Sequence, residues 1–104
     1  MGISRLKGEY SEVAAAGSTQ GTATEMPAYT VMVTSGTGGV LLPPLNKDED
    51  AIVCNGITDA EVSVYPRTGG KINNATANYP LLLPANRAAR FRAVDGAGNV
   101  IAFF

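Results

Sequence analysis

The chain contains no histidine, no tryptophan and only one cysteine, Cys54. Histidine is the commonest general base and metal ligand near neutral pH, so its absence excludes Ser/His/Asp and Cys/His catalytic arrangements. A single thiol cannot form an intrachain disulfide, and one cysteine without histidine leaves too few ligands for a structural zinc site. Also missing is any apolar run near the ~20 residues that span a bilayer. Arg5, Lys7, Glu9 and Glu12 stand where a signal peptide would have its apolar centre. These absences set the expectation of a protein made in a cytoplasm, with no membrane partner and no cofactor. Basic excess is lacking too. Eight Lys and Arg against nine Asp and Glu give a net charge of −1, which argues against general nucleic-acid binding.

What is present is strand-and-turn grammar. A length of 104 residues suggests one domain, and 45% hydrophobic content argues against wholesale disorder. The apolar residues are unevenly placed. In "ISRLKGEYSEV", Ile3, Leu6, Tyr10 and Val13 fall at roughly helical spacing, although Gly8 weakens a helix, so a partly ordered tail and a short amphipathic helix both stay open. Ala14 to Pro27 has no large apolar side chain but Met26 and reads as an extended arm. The division expected is therefore an arm over residues 1–28 and a β domain over residues 29–104.

Tyr29 to Thr34, "YTVMVT", alternates with period two and predicts a strand. "SGTGG" turns the chain into "VLLPP", a second strand stopped by Pro43 and Pro44. "AIVCN" reads as a strand buried on both faces, with Cys54 a structural core thiol, and the following Asn55–Gly56 is a turn signal. "EVSVYPRTGGKINN", "YPLLLP", "RFRAVD" and "NVIAFF" complete a series of short extended segments, the last two flanking the turn "DGAGN". Seven to eight short strands at roughly ten-residue spacing predict an all-β fold, a single small antiparallel sandwich or barrel built from hairpins. The ending on Phe103–Phe104 places that strand in a sheet or an interface.

Motifs with chemical meaning are few. "RTGGK" and "SGTGG" lack the spacing and the following helix of phosphate-binding loops and read as hairpin turns. "NKDED" begins like a calcium loop, but Ala51 stands where the glycine belongs, so a solvated loop is expected and no metal is assigned. Nothing in the spacing of Asp48, Glu49, Asp50, Asp59 and Glu61 selects a catalytic pair. The chain is therefore expected not to be an enzyme. Charge position says more than charge total. Lys47 to Glu61 carries five acids and one base, and Arg67 to Arg92 carries five bases and no acid. Two readings stand: folding mixes these charges, or it leaves acidic and basic edges that meet on neighbouring copies.

The order "AAGSTQGTAT", an alternating strand, "GTGGVLLPP", a strand ending in Asn, "VSVYPRTGGKINN", "NYPLLLPANRAARFRAV" and an aromatic last strand resembles small structural proteins of tailed bacteriophages, of the capsid decoration (cement) or head-fibre kind. The resemblance covers nearly the whole chain from Ala15, and "VYP" followed by "GG" and "IN" is its most distinctive part. It implies a virion structural protein on the capsid surface, made in the bacterial host cytoplasm, with the major capsid protein and its own copies as partners, a trimer favoured. Ile3, Leu6, Tyr10 and Val13 would dock on the head, and Phe103 and Phe104 would lie at the oligomer interface. The alternative is a phage fibre or receptor- or carbohydrate-binding adhesion module, which the lack of tryptophan disfavours.

Overall fold

The computed structural model describes residues 10–103, and among them every regular element is a strand. There are nine: β1 (Tyr10–Ala15), β2 (Thr24–Glu25), β3 (Thr30–Gly36), β4 (Gly39–Leu41), β5 (Asp50–Asn55), β6 (Val62–Tyr65), β7 (Leu81–Leu83), β8 (Ala88–Ala93) and β9 (Val100–Phe103). They form two sheets, one of five strands in the order β1-β3-β5-β8-β9 and one of four in the order β2-β4-β6-β7. Both sheets are mixed. The pairs β1·β3, β3·β5, β2·β4 and β4·β6 are parallel, and β5·β8, β8·β9 and β6·β7 are antiparallel.

The all-β expectation is met, but a single antiparallel sandwich of seven to eight strands is not what forms. Parallel neighbours cannot be joined by a tight turn and need a crossover. Here the crossover between two strands of one sheet contains a strand of the other. The first six strands therefore alternate between sheets and wind as three stacked turns of a flattened coil. The "SGTGG" and Asn55–Gly56 turns carry the chain from one sheet to the other rather than closing hairpins. Glycine is required where the coil's turns touch. Gly36 (φ +91°) and Gly38 (φ +119°) adopt a conformation that L side chains rarely take, and a Cβ there would run into the carbonyls of Ala15 and Gly17 in the preceding turn. After β6 the chain reverses, and only β8 and β9, across "DGAGN", form a tight hairpin.

One core lies between the sheets. The larger sheet contributes Val31, Val33, Ala51, Val53, Ala89, Phe91 and Val100, and the smaller Val40, Val62, Val64 and Leu83, each almost wholly buried. Residues 10–28 belong to this structure, contrary to the expectation of a separate arm over residues 1–28. Tyr10–Ala15 is an edge strand, Thr24–Glu25 pairs with β4, and Ala15, Met26 and Ala28 are buried. Tyr65 fixes the intervening loop: its hydroxyl donates to the Ser18 carbonyl at 3.0 Å, and Gln20 Nε2 donates to the Pro66 carbonyl at 2.6 Å.

Asn55 is a polar residue with no solvent exposure at the end of β5. Its Nδ2 donates to the carbonyls of Ala60 (2.8 Å) and Leu83 (3.1 Å), and its Oδ1 accepts the Ile57 N–H (2.9 Å). The side chain thus replaces the backbone bonds that the crossing from β5 to β6 lacks, as burial of an amide demands.

Candidate binding surface

Strand alternation sends Val31, Val33, Ala51, Val53, Ala89 and Phe91 inward and their neighbours outward, so the register defines the outer face of the five-stranded sheet. Its central row runs Tyr10, Thr30, Ile52, Arg90, Phe103 across all five strands. One row to one side are Glu12, Met32, Cys54 and Ala88, and one row to the other are Asp50, Arg92 and Ile101. Tyr10, Ile52, Ile101 and Phe103 are exposed there, by 52%, 38%, 43% and 46%. Four large, half-exposed side chains thus share one sheet face, interleaved with Thr30 and Arg90, a mixed apolar and charged surface of the kind found at protein contacts.

The charges on this face are ordered. Asp50 on β5 and Arg92 on β8 are direct cross-strand partners, 3.7 Å apart from Oδ1 to Nη1. That ion pair mixes the acidic and basic segments of the sequence, as the first of the two charge readings expects. The Asp50 Oδ1 atom is shielded from solvent and accepts no hydrogen bond, so the arginine beside it is its compensation. The other two charges stay apart. Glu12 lies on β1 at one edge, where it accepts a hydrogen bond from the Tyr10 hydroxyl at 3.1 Å. Lost solvation and the nearby Glu12 carboxylate hold the Tyr10 phenol above its ordinary pKa. Arg90 lies on β8 with its guanidinium 5.3 Å from the centre of the Phe103 ring, a cation–π contact.

The β9 edge of the sheet is covered. Beyond β9, Lys71 and Asn73 occupy the backbone. The Lys71 carbonyl accepts the Val100 N–H (2.9 Å), the Asn73 N–H donates to the Val100 carbonyl (3.1 Å), and Asn73 Oδ1 accepts the Ala102 N–H (2.8 Å). This side is closed against a further strand. Next to it an open depression of about 380 Å³ is lined by Lys71, Asn74, Val94, Asn99, Val100 and Ile101. Lys71 is its only ionisable side chain, which supplies no acid–base pair. Among the described residues no three His, Cys, Asp or Glu side chains gather as a metal site.

The residues singled out in the sequence are placed as follows. Tyr10 is exposed on the outer face, whereas Val13 points inward and packs against the core. Ile3 and Leu6 lie outside the described residues, as does Phe104, while Phe103 stands half-exposed beside Arg90. Cys54 is not the fully buried thiol expected. The centre of β5, Ala51 to Cys54, is apolar throughout, yet its Ile52 and Cys54 face outward and only partly lose solvent, because no second layer among the described residues covers that side. Sequence reasoning missed Ile52, Ile101 and Arg90 as surface residues. Period two alone cannot say which face of a wholly apolar strand is covered.

No protein-family model, no curated protein and no solved structure matches the chain.

Proposed function

We propose that the chain is a virion structural protein that binds the outside of an assembled phage capsid and stabilises contacts between capsomers, acting as a homo-oligomer. The observation that carries this reading is the outer face of the five-stranded sheet, where exposed Tyr10, Ile52, Ile101 and Phe103 stand among ordered charges. Such a surface suits contact between proteins: aromatic and arginine side chains give the most binding energy when water is excluded around them. The order of sequence segments from Ala15 onward supplies the virion context. The role asks for no catalysis, only for a rigid β core that presents a surface repeatedly over a lattice.

The test is direct. Purified protein is mixed with heads that lack a decoration layer and imaged by electron microscopy. Regularly spaced density at hundreds of positions per head is the expected result. Bare heads overturn the proposal. A few copies confined to one vertex or to the tail point instead to the adhesion module, for which Tyr79, 62% exposed in an asparagine-rich loop, is a suitable stacking residue.

A further inference from the structure

We infer that the outer face of the five-stranded sheet is covered by further copies of the same chain, packed so that the β1 side of one copy meets the β8–β9 side of the next. This names the surface for the self-association in the reading above, but it does not depend on the capsid: it stands or falls on the isolated protein.

The inference starts from a charge pattern that places an acid toward one side of the face and a base toward the other. Asp50 and Arg92 neutralise each other within the chain. Glu12 and Arg90 remain, and β3 and β5 lie between their strands. Three strand spacings put them about 14 Å apart, beyond the reach of an ion pair. Closing copies around an axis parallel to the strands brings the two sides together and keeps the height of every residue along that axis. Tyr10 then stands level with the next copy's Arg90 and Phe103, because all three share the central row of the register. Glu12 lies one row along β1 from that level, and its carboxylate is tied to the Tyr10 hydroxyl by a 3.1 Å hydrogen bond, which keeps it within side-chain reach of that row. It therefore meets the next copy's Arg90, while Tyr10 meets Phe103 and the Ile52 and Met32 side chains fill the middle.

A second copy is the occupant that the pattern favours. An unrelated partner would need its own acid and its own base, set a sheet's width apart and in opposite order. Another copy carries that arrangement automatically. On the β9 side a continued sheet would have to displace Lys71 and Asn73, so there the contact is left to the face. Two or three copies around the axis both bring the β1 side to the β8–β9 side, and a closed ring leaves no sticky end.

The experiment is a charge swap read by light scattering and sedimentation on the full chain. The wild type is expected at two or three times the mass of one chain. Glu12→Arg alone and Arg90→Glu alone are each expected to weaken association at least about tenfold, as loss of a desolvated interface pair does. The double variant is expected to restore it. Both residues are exposed, and circular dichroism confirms that each variant keeps its fold. A monomeric wild type at high concentration overturns the inference. So does a set of folded single variants that associate like wild type, or a folded double variant that remains monomeric. A chain that associates as described yet leaves heads bare overturns the capsid reading and not this contact.

Discussion

Asn55 is the residue at which burial and polarity conflict most sharply. Three hydrogen bonds from its amide satisfy groups on the loop after β5 and on β7. Asn55→Ala removes partners from the buried Leu83 carbonyl and from the part-buried Ala60 carbonyl and Ile57 N–H, and is expected to lower stability by about 1–3 kcal/mol in urea unfolding. A change below about 0.5 kcal/mol would show that water takes over these bonds. Its neighbour Cys54, on the opposite face of β5, has no such burden. Cys54→Ser is expected to change stability by no more than about 0.5 kcal/mol. Because Cys54 lies between Met32 and Ala88 on the outer face, its labelling by a thiol reagent is expected to slow as protein concentration rises. A labelling rate independent of concentration would place the association surface elsewhere.

Among the elements, the β8–β9 hairpin is held by one carboxylate. Asp95 Oδ1 accepts the Ala97 N–H at 2.8 Å, and its Oδ2 accepts Asn99 Nδ2 at 2.9 Å. The Asn99 side-chain bond, and then the Ala97 N–H, lower the Asp95 pKa from 3.8. A carboxylate depressed in the folded state adds stability that is complete above its unfolded value and fades as pH falls through the lower folded value. Asp95→Asn is therefore expected to flatten the fall in thermal midpoint below pH 4; an unchanged acid limb would assign that fall to other carboxylates. The first turn of the coil makes a larger contribution. Removing residues 1–27 deletes β1 and β2 together with buried Ala15 and Met26. Loss of one large core side chain alone costs ~2–5 kcal/mol, so the truncated chain is expected to lose its cooperative thermal transition. An intact transition would restore the separate-arm reading. That reading failed because Ala14 to Pro27 offers few apolar side chains, while the backbone pairing that orders it leaves no mark in composition. The strands from Tyr29 onward were legible because alternation and turn residues are local signals. Their assignment to two sheets was not, since a Gly-rich turn looks the same whether it closes a hairpin or carries the chain across the core.

At the scale of the whole molecule, the candidate surface was half visible. Tyr10 and Phe103 were singled out by the sequence and stand exposed on the outer face, whereas Ile52, Ile101 and Arg90 were not. Which charges pair within the chain followed only from β5 lying beside β8. That same adjacency has a consequence for biosynthesis. The three coil turns can stack in the order in which they leave the ribosome, but Asp50 on β5 faces Arg92 on β8, 42 positions later. At ~5–20 residues per second of synthesis, one side of β5 waits about 2–8 s with its backbone groups unpaired, an opening for misdirected strand pairing. Nascent chains arrested with Gly70 newly exposed are expected to be cleaved readily by protease, and those arrested after Ala93 has emerged to resist. Equal resistance at both lengths would mean that the coil is stable without its closing strand. If the difference is found, this protein passes through a vulnerable interval each time it is translated, and its yield in a cell is set by how quickly β8 arrives.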